Sequence, residues 1–69
     1  MRIKWGKVYF RAGDGEYYTE ENRPGLMIDI SDLYVSFGTS EPDWTVKFPY
    51  DVIQYVSYEA VSHDAKTTK

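Results

Sequence analysis

The side chains able to do chemistry in this chain fall into two groups, acids in the middle and cations at the start. Between Ala12 and Val46 stand Asp14, Glu16, Glu20, Glu21, Asp29, Asp32, Glu41 and Asp43 against Arg23 alone, a segment charge of −7 in a chain whose net charge is −3. The first eleven residues carry Arg2, Lys4, Lys7 and Arg11. Catalysis needs a nucleophile beside a base, paired carboxylates across a cleft, or a metal cluster. There is no cysteine, and the one histidine, His63, sits beside a stretch without apolar periodicity, which leaves no thiol nucleophile and no zinc–thiolate set. The acids at 14, 16, 20 and 21 match no calcium-loop spacing and read as solvated turn residues. Gly13-Asp14-Gly15 is no phosphate cradle, since no helix with a P-loop lysine follows and the surrounding charge is negative. The expectation is a protein without enzymatic activity, catalytic residue, metal or cofactor, whose business is binding. A concentrated acidic face repels nucleic acid and attracts whatever normally binds it.

Sixty-nine residues make one small domain, expected over 1–61 with a frayed tail over 62–69. No disulfide can reinforce it. Seven Tyr, three Phe and two Trp are more large apolar surface than one thin sheet covers on one side, so a homodimer is expected to absorb the excess. Tyrosines interleaved with strands could stack bases, but the cations needed for phosphates occur only on the N-terminal strand, so no direct nucleic-acid contact is expected. No apolar run approaches the roughly 20 residues that cross a bilayer, and the N-terminus lacks a signal-peptide core, which predicts a cytoplasmic protein without membrane contact.

The elements follow from the alternation. Ile3 and Trp5, then Val8 and Phe10 in the opposite phase, read as one strand with a bulge at Gly6. Gly13 to Gly15 turns the chain into a second strand through Tyr17, Tyr18 and Thr19, and Pro24-Gly25 fits a type II turn. Leu26 to Gly38 is ambiguous. Leu26, Ile28 and Ile30 alternate, as do Leu33, Val35 and Phe37 in the other phase, and residue types favour strand. The punctuation instead suits a short helix, with Ser31 as N-cap, Asp32 in the first turn, Leu33 and Phe37 on one face, and Gly38 as C-cap. Trp44, Val46 and Phe48 form a clear strand ended by Pro49, and Tyr50 to Val61 fits either type.

Three stretches carry a family resemblance. Asp14-Gly15-x-x-Tyr18-x-Glu20, the run Ile28-Asp29-Ile30-Ser31-Asp32-Leu33-Tyr34-Val35-Ser36-Phe37-Gly38, and Val46-Lys47-Phe48 resemble, in order, the small dimeric uracil-DNA glycosylase inhibitors of protein-primed Bacillus phages. The resemblance spans roughly residues 8 to 53 and needs insertions near 22–27; Gln54 onward has no counterpart. It implies an α+β subunit, a small antiparallel sheet with one short helix over Ser31 to Phe37, in a homodimer; a small all-β barrel is the alternative. It implies that Glu20 stands in for a DNA phosphate and that Leu33 and Phe37, in place of aromatic residues typical of the family, line a pocket at the dimer interface.

A base-flipping glycosylase grips phosphates and pushes an apolar side chain into the gap left by the extruded base. The expected function is therefore an acidic DNA mimic that blocks the host uracil-DNA glycosylase. Its partner-binding residues would be Glu20, Leu33, Phe37 and Tyr18, with Asp14, Glu16, Asp29 and Asp32 in phosphate subsites. A structural β-module, or a mimic aimed at another DNA-binding protein, are the alternatives.

Overall fold

In the computed structural model, which describes residues 1–61, the chain forms six antiparallel strands. They are β1 (Ile3–Phe10), β2 (Gly15–Thr19), β3 (Met27–Ile30), β4 (Tyr34–Ser40), β5 (Asp43–Pro49) and β6 (Ile53–Ala60), with one 3-10 turn (Tyr50–Val52) between the last two. Two three-stranded sheets result, ordered β2-β1-β6 and β3-β4-β5. They meet at an Arg2–Met27 bridge, and Ile3 N–H donates to the Leu26 carbonyl at 3.1 Å, without closing into a barrel. The tail expected over 62–69 lies outside the described residues.

The short helix expected over Ser31 to Phe37 is absent; Ser31 to Leu33 form a turn and β4 begins at Tyr34. The punctuation was real but served another element. Ser31 Oγ accepts the Leu33 and Tyr34 N–H groups at 3.3 and 3.2 Å, as an N-cap would, and donates to the Tyr34 carbonyl at 3.0 Å. Those bonds close a tight β3–β4 turn, because the β-formers Tyr34, Val35 and Phe37 that follow pair with both neighbouring strands. Gly38 is no C-cap either. It lies mid-strand opposite Met27 and Thr45, where an added Cβ would sit 2.9 Å from the Trp44 carbonyl oxygen. The fold is thus antiparallel β with no α-helix among the described residues, and no helix there is long and apolar enough to cross a membrane.

The core lies between the sheets. Ile3, Val8 and Ile53 meet Leu26, Ile28, Val35 and Phe37, with Phe10, Tyr18, Trp44, Val46, Phe48 and Val56 packed around them. Each such apolar side chain taken from water contributes about 1.5–3 kcal/mol. The phase change in β1 comes earlier than the residue types suggested. The register slips between Ile3 and Trp5, after which Gly6 pairs regularly with Tyr18 and Tyr58 on the inner face. Gly6 is there for space, since a Cβ at this position would collide with the Phe37 ring.

Candidate partner-binding surface

Strand directions sort the connections into two ends. One end collects the β1–β2 turn, the β3–β4 turn and the 3-10 turn, because Phe10 pairs with Ile53, Tyr34 with Pro49, and Ile30 with Val35. Tyr50 Oη donates to the Ser31 carbonyl and Arg11 N–H to the Val52 carbonyl at 3.0 Å, so the three turns are tied together. We refer to this as the turn end.

Apolar side chains remain uncovered there. Leu33 is 75% exposed, and Ile30, Val52 and Tyr50 are also exposed. Behind them the gap between the sheets stays open as a hollow of about 440 Å³ lined by Phe10, Ala12, Phe48 and Val52, with Arg11 and Asp51 also on its wall. The Phe10 and Phe48 rings pack against each other on its wall, with centroids 5.4 Å apart. The cause is local. Pro49 ends β5, the 3-10 turn buries none of its residues, and no strand crosses this mouth. Each of the three turns adds a carboxylate, Asp14, Asp32 and Asp51, and none of them forms an ion pair among the described residues. Glu16 on β2 and Asp29 on β3 are likewise exposed and outside any ion pair there. Five of the residues singled out from sequence, Asp14, Glu16, Asp29, Asp32 and Leu33, therefore lie on or toward one end.

The other three do not join them. Glu20 follows β2 at the opposite end, where its Oε2 accepts from Arg2 Nη2 and from the Gly25 N–H, each at 3.2 Å. The Gly25 N–H, then Arg2, hold its carboxyl below the usual value of 4.5. Its other oxygen is buried without a hydrogen-bond partner. This carboxylate braces a loop. Phe37 is fully buried, with its ring 5.0 Å from Tyr18 and 6.2 Å from Phe48, and so shares no pocket with the exposed Leu33. Tyr18 packs between Phe37 and Trp44, whose outer face Arg23 covers at 4.0 Å; burial pushes the Tyr18 phenol up.

Sequence reasoning missed Phe10, Phe48, Asp51 and Val52, which become neighbours only through the β5–β6 connection. It also missed a second surface. On the outer face of the β2-β1-β6 sheet the register sets Trp5, Lys7 and Tyr9 beside Tyr17 on one side and Tyr55 and Glu59 on the other. The Tyr9 and Tyr55 rings stack at 4.2 Å, and Lys7 Nζ lies 4.9 Å from the Tyr9 ring centre and 5.9 Å from that of Tyr17. The Lys7 ammonium draws the Tyr9 phenol below its usual value, whereas desolvation, then Tyr9, raises that of Tyr55. The period-two pattern of β1 carried this signal, had the outward residues been read as a set. In comparisons with known proteins the chain matches no family model, no curated protein and no solved structure, and none identifies it as a uracil-DNA glycosylase inhibitor.

Proposed function

We propose that the chain is a non-enzymatic acidic decoy that enters the nucleic-acid cleft of a basic partner protein with its turn end. The observation that carries this reading is the hollow of about 440 Å³ with Asp51 on its wall, at the end of the molecule where the other two turns bear Asp14 and Asp32. A cleft built for DNA offers cations to phosphates and, in base-flipping enzymes, an apolar side chain that wedges into the stack. Carboxylates on three separate turns meet the first need and the Phe10–Phe48 hollow meets the second. Burying a leucine-sized wedge there is worth about 1.5–3 kcal/mol by transfer. The uncovered Leu33 adds apolar contact at the rim. Charge attraction speeds such an encounter at low salt.

The resemblance over roughly residues 8 to 53 suggests host uracil-DNA glycosylase as the partner, with the host cytoplasm as the site of action. The residue roles differ from those the resemblance implies. Glu20 and Phe37 are bracing and core residues, and Asp51, Phe10 and Phe48 replace them. The hollow is complete within one chain, so this reading does not need the homodimer.

The test is cleavage of a uracil-containing oligonucleotide by the glycosylase in the presence of the purified full chain. Inhibition should fall steeply with salt and weaken at least tenfold when Asp14, Asp32 and Asp51 are changed together to Asn. Undiminished cleavage at micromolar protein rules out the glycosylase as partner, and wild-type potency in the triple variant removes the turn end.

A further inference from the structure

We propose that the outer face of the β2-β1-β6 sheet binds single-stranded nucleic acid, with bases stacking on Trp5, Tyr17 and the outer face of Tyr55, Tyr9 packed beneath between Tyr55 and Lys7, and a phosphate meeting Lys7. The surface is separate from the turn end, and the inference stands whether or not the decoy reading does.

Four rings on one sheet face are more than strand propensity requires. Same-face neighbours along β1 are about 6.6 Å apart and neighbouring strands about 4.8 Å, so the rings form a grid rather than a single groove. Tyr17 is 57% exposed and Tyr55 51%. Between the rings lies a recess of about 320 Å³ lined by Trp5, Lys7, Tyr9, Tyr17 and Ser57. An open aromatic sheet face with a cation set into it is the arrangement by which proteins hold unpaired bases, since every base has a π-face and every nucleotide a phosphate.

Charge decides between occupants. A proline-rich peptide also docks on aromatic grooves, but it carries no anion to meet an ammonium in their midst. Lys7 forms no ion pair among the described residues. The carboxylate on this face is Glu59, and it is already held by Lys4 at 3.7 Å and by the Trp5 indole N–H at 3.0 Å. Lys7 is left as the site's uncompensated charge. Among the described residues the acids other than Glu59 lie in the turns, on the other sheet or inward of this face, and screening over about 8 Å at physiological salt keeps such charges from dominating a local contact. The sequence-level objection to nucleic acid, that cations occur only on the first strand, loses its force because β1 is the central strand of this sheet.

The test uses the two tryptophans of the intact chain. Trp5 lies on the proposed surface, whereas Trp44 packs on Tyr18 under Arg23 and serves as an internal control. Their indole N–H signals are followed by NMR as a thymidine or uridine oligonucleotide of about ten residues is added, a length within known single-strand footprints. The Trp5 signal should move and that of Trp44 should stay. Tyr55→Ser, on the edge strand, should weaken binding about tenfold; Lys7→Ala should weaken it and flatten the salt dependence by about 0.7 in log–log slope, one phosphate contact on a single strand. A Trp5 signal unmoved at millimolar oligonucleotide overturns the proposal. So does equal salt dependence in the Lys7→Ala variant and wild type, or a response to a proline-rich peptide but to neither oligonucleotide.

Discussion

Leu26 and Leu33 are seven residues apart and sit at opposite ends of the molecule in opposite conditions. Leu26 is fully buried, and its carbonyl takes the Ile3 N–H. Around it the Met1 carbonyl accepts from Ile28 N–H at 2.9 Å and Glu20 ties Arg2 to Gly25, so Leu26 is enclosed by backbone and side chain alike. Leu33 stands 75% exposed on a turn whose polar groups satisfy one another, at the end of the molecule that also holds the Phe10–Phe48 hollow. The acids follow the same division. Glu20 is locked into two hydrogen bonds at the closed end, whereas Asp14, Asp32 and Asp51 face solvent at the open one. Residue type does not tell a strut from a contact; whether the register supplies partners does. A lone exposed leucine is ordinary, but Ile30, Leu33 and Val52 all left uncovered at one end of the molecule are not.

The largest expected effect tests this contrast directly. Leu26→Ala should cost about 2–5 kcal/mol, because it leaves a cavity between two sheets, and Leu33→Ala should stay within about 0.5 kcal/mol of wild type. Urea unfolding with unchanged slope measures both. Equal destabilisation by the two substitutions would dissolve the distinction between the ends. If the proposed function holds, the order reverses in a binding assay, where Leu33→Ala weakens the complex.

A smaller effect tests how tightly the centre is filled. Gly6→Ala drives a methyl into the Phe37 ring and toward Ile3 Cδ1, which overpacking places at about 1–3 kcal/mol. Combining it with Phe37→Leu, which removes the obstructing ring edge, should cost less than the two single changes added together, with a coupling of at least about 0.5 kcal/mol in a double-mutant cycle. Strict additivity would mean that Gly6 does not make room for the ring.

These residues also show how far the sequence could be read. Alternation in β1 and β5 was legible because each turns alternate residues toward the core, β2 was legible from the strand formers Tyr17, Tyr18 and Thr19, and the ambiguous Leu26 to Gly38 stretch had the β-rich composition of the strands it forms. The helix implied by the resemblance failed on a physical ambiguity: a serine hydroxyl accepting N–H groups two and three residues ahead caps a helix or closes a turn equally well. The acidic middle segment was legible as charge but not as a surface, since Glu20 and Asp32 differ only in what the fold brings to them. The resemblance made Phe37 a pocket residue beside Leu33, but i, i+4 spacing shares a face in a helix and in a strand alike; what separates the two is that Leu33 lies in the turn before β4 while Phe37, inside the strand, points into the core. The Phe10–Phe48 hollow depends on contacts across 38 positions of chain, which no local pattern encodes.

The smallest effect concerns pH and the closed end. With its folded value held below 4.5, Glu20 contributes stability that is present above the unfolded value and is lost as pH falls from about 4.5 through the folded one. The melting temperature should therefore drop in that acid range. Glu20→Gln should lower it at neutral pH, since a neutral amide accepts weaker hydrogen bonds, and should flatten the acid limb. Arg2→Ala should flatten that limb only in part, because the Gly25 N–H also holds the carboxylate in its charged form. An acid limb of the same depth in Glu20→Gln would show that this carboxylate is no strut, and the contrast with the open end would then rest on the leucines alone.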